Sequence, residues 1–149
     1  MLTFGLQTPR DLLEKLKREA ALLDAEMTSD RFFNFVVTGY SVIDWVKNGA
    51  SIPATVKTAV SAMYGDRWIR ICGDIATASK HFKLTRRVPV TANVDSTQGF
   101  GVGRFEKGLW GIGEENIQVE LTDGSSLAGL ELVENVIRVW EAFFQSHSL

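Results

Sequence analysis

The stretch DRFFNFVVTGYSVIDWVKNG, from Asp30 to Gly49, is apolar around most of its circumference when wound as a helix. A helix of that kind cannot lie on a surface. It has to sit inside a packed assembly with other helices around it, so this stretch is predicted to be the central rod of the fold. Thr28 or Ser29 supplies its N-cap and Gly49 closes it. Its polar exceptions are ordered: Asn34, Thr38 and Ser41 share one narrow stripe, continued by Trp45. Asp44 lies off the stripe beside aromatic and valine positions, where a carboxylate requires a partner because burying it bare is costly.

Four further helices, one of them short, are legible around this rod. TPRD places Thr8 as N-cap, Pro9 at the first helical position and Asp11 in the first turn. Leu12, Leu13, Leu16, Ala20, Leu23 and Met27 then recur at three- and four-residue steps, which predicts an amphipathic helix to about Glu26. After the rod, Pro53 starts a short helix that ends at Gly65. The next long helix runs from Asp66 to about Leu84, with Trp68, Ile71, Ile75, Ala78 and Phe82 as its apolar face. Beyond Arg87 the period changes to two. VPVTANV alternates, and so do Ile117, Val119 and Leu121, with turns expected near Lys107-Gly108 and Asp123-Gly124. A last helix, Leu127 to Ser146, carries Leu130, Val133, Ile137, Trp140 and Phe144.

These elements predict an α+β fold, mainly α: an antiparallel four-helix bundle, plus one short helix, with a β-hairpin or meander inserted before the last helix. One domain over residues 1–149 is expected, with the β insertion at 88–124. A chain of 149 residues can bury a core without a metal or disulfide staple. Cys72, the single cysteine, stands in an apolar helical stretch and is expected to be a buried structural thiol.

The candidate site follows from RICGDIATASKHFKL, which aligns Arg70, Asp74, Thr77 and His81 along one helix line. Packed antiparallel to the rod, this line is expected to pair Asp44 with Arg70, Ser41 with Asp74, Thr38 with Thr77 and Asn34 with His81. Two accounts compete. In one the seam is structural and sets helix register, since removing one member of a buried ion pair costs about 3–5 kcal/mol. In the other His81 acts as base, with Lys80, Lys83, Arg86 and Arg87 stabilising a phosphodiester.

FFNFVVTGYSVIDWV, ICGDIATASKHFKL and VIRVWEAFF together resemble a set of uncharacterised bacterial and phage-borne helical proteins. These carry an Asp-Trp on one helix and an Asp-Ile-Ala…Lys-His-Phe pattern on the next. More distantly, the chain is similar to the HEPN superfamily of small, often dimeric helical proteins, many of them RNases. That resemblance implies a bundle fold and a dimer, with RNA as a target. Asp44, Asp74, Lys80 and His81 are the positions matching the motif. Arg70 and His81 are separated by ten residues, more than the HEPN RNase motif allows, so no catalytic role is carried over.

Other chemistry is excluded by spacing. GFGVG lacks the pattern of a phosphate loop and the lysine that would follow it, no G-x-S-x-G elbow is present, and the two histidines and one cysteine lie too far apart to ligate a metal. No cofactor is expected. Sixteen basic against eighteen acidic side chains argue against a dedicated nucleic-acid coat. The N-terminus lacks a secretory signal and no apolar run is long enough to cross a membrane, so a cytoplasmic protein is expected. Function therefore divides between a non-enzymatic accessory protein with a protein partner or a second copy, and a HEPN-like RNase or RNA-binding protein. Arg70, Thr77, Lys83, Arg86, Arg87, Asn34 and Ser41 are its candidate binding residues.

Overall fold

The computed structural model describes residues 4–81, 88–98 and 115–149, with His81 and Gln98 described in their backbone. It is mainly helical with a small three-stranded antiparallel sheet. Helix α1 is Pro9–Ala25 and starts as its sequence dictates. The Thr8 hydroxyl accepts from the Asp11 amide at 3.1 Å, and the Asp11 carboxylate accepts from the Thr8 and Gln7 amides at 2.8 and 2.9 Å. This reciprocal box satisfies amides that the first turn otherwise leaves open. Those backbone bonds, from Gln7 and then Thr8, hold the Asp11 carboxyl below the usual carboxylate range.

Helix α2, Ser29–Asn48, is capped by the Thr28 hydroxyl, which accepts from the Arg31 amide at 3.2 Å. It touches every other helix, as its apolar circumference predicts. Pro53 precedes α3, Ala54–Ala59, which tightens into a 3-10 turn over Val60–Gly65. Asp66 opens α4, Arg67–His81, by accepting from the Trp68 and Ile69 amides at 2.9 and 3.2 Å. The expected end of that helix at Leu84 lies outside the described residues.

The buried face of α4 differs from the expected one. Ile69, Ile71, Cys72, Gly73, Asp74 and Ala76 are buried, while Trp68, Ile75 and Ala78 are only half-buried. The reason is that α4 packs on more than one side, against α2, α5 and the first strand. Its core side is therefore wider than one amphipathic stripe and takes in positions 73 and 74.

The sheet runs in the order β1-β2-β3, with β1 Thr91–Gln98, β2 Glu115–Leu121 and β3 Ser126–Ala128. Thr91 pairs with Leu121 and Gln98 with Glu115, and the register shifts between Thr91 and Asn93. Ile117, Val119 and Leu121 all point inward, as their alternation predicts. The tight turn before β3 uses Gly124 at φ +87°, a left-handed conformation open to glycine, and the Asp123 carboxylate accepts from the Ser125 amide at 2.9 Å. The turn expected at Lys107-Gly108 and the GFGVG glycines lie outside the described residues.

Helix α5 is Gly129–Ser146. Leu127 belongs to β3, not to this helix, so the sheet extends past residue 124. Its apolar side chain satisfies either element, and pairing with Val119 decides between them. Gly129 then brings α5 close to the sheet, where a Cβ would meet Ile117 at 3.2 Å and Phe32 at 3.3 Å. At the centre, the buried Trp140 indole N–H donates to the Gly39 carbonyl at 2.9 Å. A Cβ on Gly39 would stand 3.2 Å from the Val136 methyl, so this glycine allows α2 and α5 their close approach.

Candidate functional site

Asp74 is the carboxylate most deeply placed in the expected seam, at 2% exposure. Its Oδ2 accepts from the Val90 amide at 2.7 Å and the Thr91 amide at 3.0 Å. The side chain thus closes the start of β1 onto α4, taking the two amides where the chain enters the sheet. The expected Ser41 partner is instead bonded along its own helix, its hydroxyl donating to the Val37 carbonyl at 2.7 Å. An i−4 back-bond of that kind is the ordinary resting state of a helical serine.

Asp44 also departs from expectation. It is exposed, and its carboxylate accepts from the Asn48 side-chain amide at 3.0 Å, one turn further along α2. The helix turns it to solvent, and no buried partner is needed. Asn34 is exposed as well. Thr38 is buried but faces α1: its hydroxyl accepts from the Lys15 ammonium at 2.9 Å, and Lys15 also bonds Glu19. This contact was hidden in the sequence because Lys15 reads as a solvated charge, although its long stem reaches across to α2. Glu19 keeps only 13% of its side chain exposed, and its second oxygen is buried without a hydrogen bond from the described residues.

Part of the expected seam is real as a place, if not as a network. α2 and α4 frame an open groove of about 520 Å³, lined by Phe33, Val37, Tyr40 and Ser41 from α2 and by Ala76, Thr77 and Lys80 from α4. Its floor is apolar, with Phe33 46% exposed. Lys80 is exposed and enters no ion pair with the described residues. Tyr40 makes an edge-on contact with Tyr64, ring centres 6.3 Å apart, and the Lys47 ammonium stands 4.5 Å from the centre of the Tyr64 ring. Of the expected site, then, Ser41, Thr77 and Lys80 share the groove. Asp74 and Asp44 do not line it. His81 ends the α4 backbone one residue beyond Lys80; its side chain, Lys83, Arg86 and Arg87 lie outside the described residues.

Cys72 is fully buried, and burial, with a smaller contribution from Asp66, pushes its thiol far above the ordinary range, as expected of a structural cysteine. Sequence reasoning missed a second carboxylate junction. Glu115 opens β2 and accepts from the Ser29 amide at 3.0 Å and from the Ser29 and Ser96 hydroxyls. Burial opposes its charge, but the Ser29 and Ser96 hydroxyl bonds and the Ser29 amide outweigh it and hold the carboxyl below the usual glutamate range. The only local signal was an acidic residue at the head of an alternating run.

Among the described residues no cluster of three or more histidine, cysteine or carboxylate side chains is placed to hold a metal ion, and no helix is long and apolar enough to cross a membrane. Compared with known protein families, curated proteins and solved structures, the chain matches none.

Proposed function

We propose that this chain is a non-enzymatic interaction protein, an accessory factor of bacterial or phage origin that works in the cytoplasm. In this reading the four longer helices form an antiparallel bundle, the sheet is an insertion before the last helix, and the protein self-associates as a dimer. One observation carries the proposal: the Asp74 carboxylate is buried and bonded to two backbone amides. A general acid or base has to reach a substrate proton. Asp74 instead secures the junction between α4 and β1, and Asp44 is turned to solvent beside Asn48. The two carboxylates of the matching motif are thereby accounted for by structure alone.

The competing reading is a HEPN-like RNase or RNA-binding protein that uses His81 with Lys80 and Asp74. Incubation of the purified protein with labelled single-stranded RNA, beside its His81→Ala variant, separates the two. The non-enzymatic reading expects no cleavage that depends on His81. Cleavage by the wild type that vanishes in His81→Ala, with an unchanged melting temperature, overturns it. Sedimentation of the same samples measures the expected dimer.

A further inference from the structure

We propose that the groove between α2 and α4 is a binding site for a small organic anion: one acidic group, carboxylate or phosphate, on a flat apolar body of about two rings. The inference goes beyond the non-enzymatic reading and stands whether or not the chain has a macromolecular partner.

The volume, about 520 Å³, falls in the range of small-molecule sites, which pair apolar walls with a few placed polar groups. Here the walls are Phe33, Val37, Tyr40 and Ala76. Phe33 is a large aromatic left 46% exposed at the mouth, and a ring stacked on it recovers area now facing water. The polar groups come from both helices, Ser41 from α2 and Thr77 and Lys80 from α4. Lys80 is the sole charged residue of the lining, and no carboxylate among the described residues neutralises it. The Thr77 hydroxyl has no hydrogen-bond partner among the described residues and can donate to an anion, whereas Ser41 already gives its one proton to Val37. An ammonium beside a hydroxyl, both without a partner among the described residues, selects an anion, and the apolar floor selects what that anion is attached to. A cationic ligand meets Lys80 and is repelled; a bare inorganic anion leaves the floor empty.

The probes are 8-anilinonaphthalene-1-sulfonate and its uncharged counterpart N-phenyl-1-naphthylamine, titrated into the full chain and followed by fluorescence and calorimetry. The expected result is a single site that prefers the sulfonate. Lys80→Gln should weaken the sulfonate roughly two- to fivefold, the scale of an exposed charge pair, and leave the neutral probe unchanged. Phe33→Ala should weaken both by up to about tenfold, from the loss of an aromatic contact. Lys57→Gln, on α3 outside the groove, should change neither. Melting temperatures of all three variants report that the fold is kept, which is expected because these side chains are exposed or half-buried. Displacement by 1-naphthoate and by 1-naphthyl phosphate then distinguishes a carboxylate from a phosphate ligand; displacement by either supports the proposal, and by neither overturns it. An unchanged sulfonate affinity in Lys80→Gln, an equal loss in Lys57→Gln, or conversion of a dimer to a monomer by Phe33→Ala, which would make the groove a self-interface, also overturns it.

Discussion

Replacing Asp74 with alanine removes the acceptor of two amides, that of half-buried Val90 at 2.7 Å and that of buried Thr91 at 3.0 Å. A hydrogen bond to a charged group is worth about 1.5–3 kcal/mol. Two such bonds lost together should cost about 3–6 kcal/mol, against a total stability of about 5–15 kcal/mol for a typical protein. For a chain of this length each kcal/mol moves the melting temperature by about 2–4 °C, so a fall of roughly 10 °C is expected. Asp74→Asn keeps a carbonyl oxygen that can accept from both amides, but as neutral bonds of about 0.5–1.5 kcal/mol each, and should fall between wild type and alanine. The assay is urea unfolding followed by far-ultraviolet circular dichroism, paired with hydrogen exchange at the two amides. Exchange at Val90 and Thr91 should accelerate in Asp74→Ala before the rest of the protein loosens. A loss below about 1 kcal/mol, or amides that exchange as slowly as in the wild type, would refute the argument that this carboxylate is an anchor.

Cys72 should resist Ellman's reagent in the folded protein and react fully once urea unfolds it, because burial holds the thiol protonated. Glu115 has its folded pKa lowered by its hydroxyl and amide donors, so its contribution is present above the ordinary glutamate range and lost as pH falls through the folded value. Glu115→Gln should therefore be less stable than wild type at pH 7, by at most about 1 kcal/mol, with the two melting temperatures converging as pH falls through the folded value. Gly39→Ala places a methyl 3.2 Å from Val136 and should cost about 1–2 kcal/mol net, since overpacking outweighs the gain in helix propensity. The loss should shrink in a Val136→Ala background, as a double-mutant cycle can measure. Trp140→Phe, which removes the indole donor to Gly39 and leaves a gap, should cost about 1–3 kcal/mol in the same unfolding assay.

What the sequence revealed well was local. Thr8, Thr28, Pro53 and Asp66 stand at helix starts because a cap is decided by residues within one turn, and the period of two at Ile117, Val119 and Leu121 needs no distant information. The polar seam failed for a different reason. Helical spacing shows which side chains of one helix share a line, but not what a neighbouring element brings to meet them. Asp74 was claimed by amides sixteen and seventeen residues away on a returning strand, and Thr38 by a lysine of α1. Asp44 was judged by its apolar neighbours in sequence, yet the turn of α2 carries it outward. The groove survived because it needs only that α2 and α4 be adjacent, and Ser41, Thr77 and Lys80 were legible as its polar members.

The indole–carbonyl bond between Trp140 and Gly39 joins positions 101 residues apart. During synthesis the central rod leaves the ribosome long before the helix that must seal it. Until then the gap at Gly39 stays open, and Phe32, whose ring lies against Gly129, lacks part of its covering. The newborn polypeptide keeps an unfinished interior until α5 emerges, and through that interval its uncovered apolar surface is open to association with neighbouring chains.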